Sequence, residues 1–284
     1  FYGKKYKFLK ASTNIDEVIE NNETNTILIA TNHDSHAELI VRALKAGKHV
    51  YVEKPLCLST SELMSIKSAY SSNNILMVGF NRRFAPYILK LKEKLNYIED
   101  PKSFIYTCNA GRIEESSWIN DTKIGGGRLL GEACHFIDLS LTLLKHTKVK
   151  NVECVKRDPH YQDTGNYILN FEDGSKVNID YRYDLPPSMP KENIIIKLSN
   201  KTLRNNNWRK FSKNIFDFNF ISKGKGHAEA VDSFFERIQS NNFSTTDEIN
   251  QLCLTTFISL KLQNMSQGET IDINQLYNSQ ILSQ

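Results

Sequence analysis

The stretch Val50-Tyr51-Val52-Glu53-Lys54-Pro55 decides the fold of this chain. Its three apolar residues follow a Gly-Lys-His turn and end at a charged pair and a proline. An uninterrupted apolar run of this kind is typical of a strand in a parallel sheet whose two faces are both covered. Glu53 and Lys54 should then lie at the carboxyl end of the strand, which is the ligand-binding edge of open α/β sheets. The alternative is that both are solvated loop charges, because charged side chains are usually exposed.

The segments on either side repeat a strand and helix pattern. Thr26 to Ala30 and Ile75 to Val78 have the apolar composition of buried strands. Asp34 can cap a helix after the first of these strands, and Ser59 begins a capping box before the next helix. Two consecutive crossover units of this kind specify a parallel sheet covered by helices. We therefore predict that residues 1–81 form part of a doubly wound, Rossmann-type dinucleotide-binding domain.

The phosphate-binding turn of such domains is missing from the sequence. No G-x-G-x-x-G motif opens a helix in the 284 residues, and Gly125-Gly126-Gly127 does not have that spacing. We therefore interpret residues 1–81 as an incomplete Rossmann domain that lacks its first βαβ unit. The residue that selects between NAD and NADP belongs to the missing portion, so both cofactors stay open.

From about residue 102 the pattern changes to strands, several of them alternating, interrupted by one apolar helix over residues 128–144. Asp173-Gly174 forms a hairpin turn between two of the strands, and two more helices follow, over 226–240 and 246–265. The sequence thus predicts an α/β protein, in which a truncated Rossmann-type parallel sheet precedes an α+β domain, residues 82–284, with a mostly antiparallel open sheet. The predicted strands of this second domain are 103–109, 149–156, 166–171, 175–182 and 193–198.

Composition argues against several classes of protein. The net charge of +4 is small, and the lysines are scattered between acids, so nucleic-acid binding has no support. No apolar run approaches the roughly 20 residues of a membrane span, and no signal peptide opens the chain. The five cysteines show no zinc-site spacing, and no metal site is predicted. The default expectation is a cytoplasmic protein with reduced cysteines.

The helix over residues 128–144 carries three polar residues in apolar surroundings, Glu132, His135 and Asp138. Their spacing of three puts neighbours on adjoining positions of one helix face. A carboxylate beside an imidazole fixes its tautomer and raises its basicity, as a general base requires. The alternative is that His135 is a satisfied core histidine. The glycines of 125–127 allow a close backbone approach, either to a ligand or between the two domains.

Polar residues also follow the first predicted strand. Ala30-Thr31-Asn32-His33 ends this strand and His36 begins the next helix, so they share the sheet edge with Lys54. Helix N-termini attract anions and dinucleotide atoms, which makes these residues candidates for cofactor contacts. His36 is equally consistent with a packing role.

Three strings in this order carry a resemblance to a known family. Ala46-Gly47-Lys48-His49-Val50 precedes Glu53-Lys54-Pro55, Gly79-Phe80-Asn81-Arg82-Arg83-Phe84 follows the third strand, and Gly125-Gly126-Gly127 precedes His135. Together they resemble the Gfo/Idh/MocA oxidoreductases over nearly the whole chain. The resemblance implies a nicotinamide-binding Rossmann domain, followed by a substrate domain whose sheet often forms the interface of a homo-oligomer.

The same resemblance implies roles for individual residues. Lys54 and His135 take the places of the family's catalytic lysine and histidine. As a separate hypothesis, Glu132 or Asp138 orients the histidine. Many members carry an aspartate at the position of Gly131, and whether Glu132 replaces it stays open. The Lys54-Pro55 bond is a candidate for the cis form. The expected cofactor contacts are Ala30, Thr31, Asn32, His33, His36, Glu53, Lys54 and Pro55, and the expected substrate contacts are Asn81, Arg82, Trp118 and Asp138.

The function implied by the resemblance is that of an NAD(P)-dependent oxidoreductase acting on a sugar, nucleotide sugar or polyol. The G-E-x-C-H-F-x-D string of residues 131–138 resembles a subgroup in which this module follows a zinc-alcohol-dehydrogenase-like module, in surface polysaccharide gene clusters. One alternative is a sensing or scaffold module, because the family includes a repressor without dehydrogenase activity. We also expect the fragment, without its first crossover unit, to be inactive alone.

Overall fold

The computed structural model describes residues 2–158, 164–208 and 224–282. Its first half contains a three-stranded parallel sheet in the order β1-β2-β3, with helices in the connections. This confirms the predicted parallel sheet. The elements are α1 (Tyr2–Lys5), α2 (Asp16–Ile19), β1 (Thr26–Ile29), α3 (His36–Lys45), β2 (His49–Val52), α4 (Thr60–Ala69) and β3 (Leu76–Val78).

The two predicted helix caps have different outcomes. Before α4, the Ser59 hydroxyl accepts from the Glu62 backbone N–H, and the Glu62 carboxylate accepts from the Ser59 backbone N–H, which completes the capping box. The prediction that Asp34 caps α3 is wrong. Asp34 lies inside a 3₁₀ turn, His33–Ser35, and Ser35 enters α3 with helical φ and ψ angles. A side-chain cap requires extended backbone at the residue before the helix, which this turn removes.

The second half contains a seven-stranded sheet in the order β10-β5-β6-β7-β4-β8-β9. One pair, β4 with β7, is parallel and the others are antiparallel, which confirms the mostly antiparallel sheet. The five predicted strands are present, but β9 and β10 were not predicted. Both have polar, edge-strand sequences that become strands by pairing with a neighbour. The strands are β4 (Ser103–Asn109), β5 (Val149–Arg157), β6 (Gly165–Phe171), β7 (Lys176–Arg182), β8 (Glu192–Leu198), β9 (Lys201–Asn206) and β10 (Thr270–Asp272).

A central helix, α6 (Arg128–Leu143), packs against this sheet, α8 and the Asn81–Phe84 turn. Every residue of α6 except Glu132 is buried. A helix that is apolar on all sides belongs in a protein interior, so the sequence pattern places α6 where it is found. The other helices of this half are α5 (Pro86–Leu95), α7 (His227–Gln239), α8 (Thr246–Asn264) and α9 (Ile273–Tyr277), which a π-helical turn, Asn278–Leu282, follows.

Helix α7 covers the first sheet although it lies far along the chain. Phe234 of α7 packs edge-on against Tyr51 of β2, with ring centroids 5.5 Å apart, and joins Ile75 and Met77 in a small apolar cluster. Beyond α7, the Ser244 hydroxyl accepts from the Leu76 backbone N–H at 3.3 Å. The two predicted domains are therefore in direct contact through α7 and the segment that follows it.

No helix in the described part of the chain has the length and apolar content that a membrane span requires. Within the same residues, His, Cys, Asp and Glu side chains form no group of three that could hold a metal ion. The five cysteines are buried and free. Burial raises the pKa of Cys134, next to His135, to about 12, so the reactive thiolate is disfavoured there.

Candidate active site

His135 lies on α6, with only 7% of its surface exposed. Burial lowers its pKa well below the ordinary histidine value, and the positive charges of Arg82 and Lys54 lower it further. Lys225 and His227 act in the same direction. The imidazole is therefore neutral near pH 7, and its basicity is lower than that of an ordinary histidine, not higher as expected. Its Nδ1 atom is buried and makes no hydrogen bond to any described residue.

Lys54 follows β2 at the carboxyl edge of the parallel sheet and is half-buried. The Lys54-Pro55 peptide bond is cis, as expected. The ammonium charge contributes to the low pKa values of both His33 and His135, so Lys54 lies within electrostatic reach of both imidazoles. The two predicted catalytic side chains, one at the end of a strand and one in the middle of a helix, thus lie within electrostatic reach of each other.

The two acids of α6 do not orient His135. The Tyr181 hydroxyl donates to Glu132 Oε2 at 2.9 Å, and Arg83 Nε donates to Asp138 Oδ2 at 2.9 Å. Positions three apart on an α-helix differ by about 60° around the axis, so the two acids diverge from His135 to opposite sides. The expectation that a carboxylate fixes the His135 tautomer is wrong. Asp138 is fully buried against Arg83, which also excludes the expected contact with a substrate.

Glu132 is held on the side of α6 that faces the second sheet. Lys191 Nζ lies 3.6 Å from Glu132 Oε1, and Cys108 Sγ lies 3.7 Å from Oε2. Burial raises the pKa of Tyr181, and the negative charge of Glu132 raises it further, so Tyr181 remains a hydrogen-bond donor. Glu132 is the one residue of α6 that keeps partial exposure, which leaves it available to a ligand.

Asn81 and Arg82, predicted to contact a substrate, are buried and bonded to protein groups. Asn81 Nδ2 donates to the Lys225 carbonyl at 2.7 Å. Arg82 Nε and Nη2 donate to the two carboxylate oxygens of Glu192, at 3.0 and 2.7 Å. A bidentate ion pair of this kind provides strong hydrogen bonds and a counter-charge for the guanidinium group. Arg82 therefore acts on the site through its charge and through the position of Glu192.

Glu192 is a buried hub that the sequence did not reveal. It also accepts from Trp208 Nε1 at 2.7 Å and from Lys225 Nζ at 2.5 Å. Burial alone raises the pKa of a carboxyl group, but Arg82 and Lys225 bring that of Glu192 down to about 2. Arg82 and Glu192 are far apart in the chain, and no local spacing marks such a pair.

The predicted cofactor residues lie together at the carboxyl edge of β1 and β2. The loop Ala30-Thr31-Asn32 and Glu53 are exposed. His33 is buried, with Nδ1 2.8 Å from the Gly125 carbonyl oxygen and its ring edge-on to Trp118 at 4.8 Å. This contact places Trp118, which is 39% exposed, at the same edge.

His36 has a structural position at this edge. It is fully buried, with Nδ1 2.8 Å from the Pro55 carbonyl oxygen and Nε2 3.2 Å from the Thr31 carbonyl oxygen. Both ring nitrogens thus contact main-chain groups of the two strand-end loops. Of the two roles considered for His36, packing accounts for its contacts.

Glycines 125–127 are explained by packing inside the protein. A Cβ atom on Gly125 would lie 2.4 Å from Ile119 Cα, and one on Gly127 would lie 2.6 Å from Gln263 Nε2. Gly126 has a φ of +73°, in the left-handed region that glycine adopts without strain. Close approach within the chain therefore accounts for the Gly-Gly-Gly string without a ligand.

We expect His135 to make the stability of the protein depend on pH below about 6.5. Its folded-state pKa is lowered, so the unfolded chain binds more protons and stability falls as the pH drops below the ordinary value of 6.5. The slope from one such group approaches about 1.4 kcal/mol per pH unit. Urea unfolding of the wild type and of His135→Asn between pH 5 and 8 measures it. Identical pH dependences would contradict the buried, neutral imidazole.

Residues 4–80 match a family profile described as "Oxidoreductase family, NAD-binding Rossmann fold". "Oxidoreductase P35" of Formosa agariphila is 31% identical over 184 residues, which cover 61% of this chain and 57% of that protein. Myo-inositol 2-dehydrogenase of Thermotoga maritima is 30% identical over 172 residues, 60% of this chain and 48% of that protein. The chain thus spans about half the length of these relatives.

Solved structures share the fold along most of the chain. Levoglucosan dehydrogenase in complex with NADH gives a TM-score of 0.79 at 18% identity, over 95% of this chain and 85% of that chain. GenD2 from gentamicin A biosynthesis, in complex with NAD, gives 0.75 at 16% identity, over 95% and 84%. Residues 4–80 thus resemble the NAD-binding Rossmann region of the Gfo/Idh/MocA oxidoreductases, and the two-sheet fold of the chain is shared with these dehydrogenase structures.

Proposed function

We propose that this protein is an NAD(P)-dependent dehydrogenase that acts on a hydroxyl-bearing carbon of a sugar, nucleotide sugar or polyol. The observation that carries the proposal is the position of Lys54 at the carboxyl edge of the sheet, within electrostatic reach of the buried imidazole of His135. Relatives named for myo-inositol and for levoglucosan support this substrate class. The same proposal covers the reaction and the substrate class of the whole protein.

The residues present fit one end of a nicotinamide dinucleotide. Ala30-Thr31-Asn32 and Glu53 are exposed at the carboxyl edge of the sheet, and the Lys54 cation lies beside them. The Nδ1 atom of His135, buried without a hydrogen-bond partner among the described residues, is a further sign of a site built for a ligand. A glycine-rich turn for the phosphates is not part of the 284 residues. We propose that these residues hold the nicotinamide end only.

Oxidation of a carbinol requires loss of the hydroxyl proton and of a hydride from the same carbon. His135 accepts the hydroxyl proton, and the Lys54 ammonium stabilises the negative charge that develops on the oxygen. A nicotinamide cofactor held at this edge would supply the oxidising power by accepting the hydride. Because cations surround His135, its protonated form is disfavoured and releases the proton to solvent. Reduction of the ketone uses the same residues in reverse.

Spectroscopic assays of the full-length gene product test this proposal. We expect the nicotinamide absorbance to change when NAD or NADP is incubated with at least one sugar, nucleotide sugar or polyol from a panel. A panel that includes myo-inositol, levoglucosan and several nucleotide sugars covers the proposed class. Binding of cofactor and sugar without any absorbance change would contradict the enzyme and support the second candidate below.

The second candidate is a sensing or scaffold module of the same fold. Asn81 and Arg82 are already bonded to Lys225 and Glu192, which leaves them unavailable to a substrate. This observation favours a module without turnover. The presence of Lys54 together with His135 favours the enzyme, because a sensor has no need of a cation beside a neutral base.

We expect the 284-residue chain alone to bind NAD and NADP weakly or not at all. The helix N-terminus and glycine turn that bind the phosphates supply much of the cofactor affinity in Rossmann domains. Isothermal titration of the purified chain with each cofactor measures this affinity. Tight binding of either cofactor would contradict the expectation that the fragment is inactive alone.

The sequence of residues 131–138 is the basis for a proposal about the biological setting. We propose that the protein works in the cytoplasm in surface polysaccharide biosynthesis, with a zinc-alcohol-dehydrogenase-like module upstream in the parent protein. We also propose that residues 1–81 form the cofactor domain, and that residues 82–284 form the substrate domain and a homo-oligomer interface on the open sheet. Light scattering of the purified protein tests the oligomer.

A further inference from the structure

A cavity of about 480 Å³ lies beside the edge strand β3, and neither Lys54 nor His135 lines it. Its walls come from β3, from α5, from the carboxyl end of α6, and from α7 and α8. Cavities of this size are typical of small-molecule sites. The cavity has no role in the proposed dehydrogenase mechanism.

Lys92 and Lys145 bring positive charge to this cavity without a counter-ion. Lys92 is half-buried on α5, and Lys145 is exposed just after α6. Burial lowers the pKa of Lys92, and the like charges of Lys145 and Arg83 lower it further. Neither lysine forms an ion pair or hydrogen bond within residues 2–158, 164–208 and 224–282. The charges that act on Lys92 are therefore repulsive, which is unfavourable unless an anion is bound.

The acidic residues near the cavity are committed elsewhere or do not reach Lys92. Glu248 accepts from Arg237 at 2.9 Å and caps α8 through its capping box. Glu236 lines the cavity but forms no ion pair with a described residue. Arg83 uses Nε and Nη2 for Asp138, which leaves its Nη1 group for a ligand. Lysines near helix C-termini also complement the helix dipole, but this does not explain their convergence on a cavity.

Neutral hydrogen-bonding groups complete the lining. Thr142 and Gln251 contribute a hydroxyl and an amide group, and Gln251 Nε2 donates to Thr142 Oγ1 at 3.1 Å. Two lysine ammonium groups, a guanidinium edge and a hydroxyl match an anion with many acceptor oxygens. A phosphate or pyrophosphate group has this character.

We infer that the cavity beside β3 is a second ligand site, which binds the phosphate or pyrophosphate group of a small metabolite through Lys92, Lys145 and Arg83. The inference does not depend on the proposed dehydrogenase activity, because no residue assigned to hydride transfer belongs to the cavity. Arg83 also forms an ion pair with Asp138 on α6, the helix that carries His135. A ligand bound to Arg83 would therefore contact a residue that is bonded to this helix.

Isothermal titration of the 284-residue chain with pyrophosphate, at constant ionic strength, tests this inference. We expect saturable binding of pyrophosphate and weaker binding of inorganic phosphate, which carries less charge and fewer acceptor oxygens. Lys92→Gln and Lys145→Gln should each weaken pyrophosphate binding at least about 10-fold, which corresponds to about 1.4 kcal/mol. Lys45→Gln is the matched control, because Lys45 is also an exposed lysine near a helix C-terminus but lies outside the cavity.

The stability of the ligand-free variants separates a binding role from a structural one. Removing one cation from an unpaired cluster relieves repulsion, so Lys92→Gln should keep or raise the Tm without pyrophosphate. A marked fall in that Tm would assign Lys92 a structural role and overturn the inference. So would unsaturable binding, or an equal loss of affinity in Lys45→Gln.

Discussion

Replacing His135 with alanine in the full-length protein lowers turnover at least about 100-fold, and Lys54→Ala does the same. In the proposed mechanism, His135→Ala removes the group that accepts the hydroxyl proton. Lys54→Ala removes the cation proposed to stabilise the developing negative charge on oxygen. Steady-state rates with the best substrate from the panel measure both effects, and circular dichroism checks that the fold is kept.

A fall in kcat, as opposed to a rise in KM, identifies a role of His135 and Lys54 in the reaction. Groups that act in the transition state lower kcat, whereas groups that only hold the substrate raise KM. Lys45→Ala is the control for loss of a lysine, because Lys45 is exposed on α3 and away from the site. Near-normal kcat in both His135→Ala and Lys54→Ala would remove the catalytic assignment. The double variant should lose less than the product of the single effects, because the two groups act on one oxygen.

Replacing Glu192 with glutamine destabilises the protein by about 3 to 5 kcal/mol. Glu192 is 1% exposed and accepts from Arg82, Trp208 and Lys225. Glutamine keeps the shape but leaves the two cations without their counter-charge in a buried site. Urea unfolding at neutral pH measures the loss. The same variant should also change the pKa of His135, because Arg82 and Lys225 are among the charges that act on it.

The pH dependence of stability supplies a second readout for Glu192. Its pKa falls from the ordinary value of 4.5 to about 2 in the folded state, so its contribution is complete above pH 4.5. The contribution is lost as the pH falls through that range, because the unfolded chain takes up the proton first. The shift corresponds to about 3 kcal/mol in the wild type and should be missing in Glu192→Gln.

An exposed ion pair provides the matched control for Glu192. Asp184 pairs with Arg182 at 2.6 Å, and the side chains of Arg182 and Asp184 are 34% and 42% exposed. Exposed pairs contribute about 0.2 to 1 kcal/mol, so Asp184→Asn should change the unfolding free energy little. If Glu192→Gln is no more destabilising than Asp184→Asn, the buried hub does not stabilise the site.

Local sequence patterns predicted the first sheet well. The apolar run of β2, the capping box at Ser59 and the apolar α6 are decided by neighbours in the chain, so a short window of sequence contains the necessary information. The edge strands β9 and β10 escaped prediction for the opposite reason. Their residues are polar, and only pairing with β8 and β5 makes them strands.

The spacing of Glu132, His135 and Asp138 is a case in which a short stretch of sequence does not predict the contacts. Helical periodicity correctly put the three residues on neighbouring positions of α6. It could not reveal that Tyr181 and Arg83 come from elsewhere to bind the two acids, which leaves His135 without a carboxylate. The competition between partners distant in sequence is settled by packing, and packing is not encoded in a three-residue repeat.

The sequence by itself determined the parallel sheet, the position of Lys54 at its carboxyl edge, and the resemblance that pairs Lys54 with His135. Only the tertiary structure decided what surrounds them, namely Glu192 as a counter-charge for Arg82 and Lys225, and Arg83 as the partner of Asp138. The physical reason is the distance along the chain between the residues that interact. Strand and helix patterns depend on residues a few positions apart, whereas charge and burial at the site depend on groups that only the complete fold brings together.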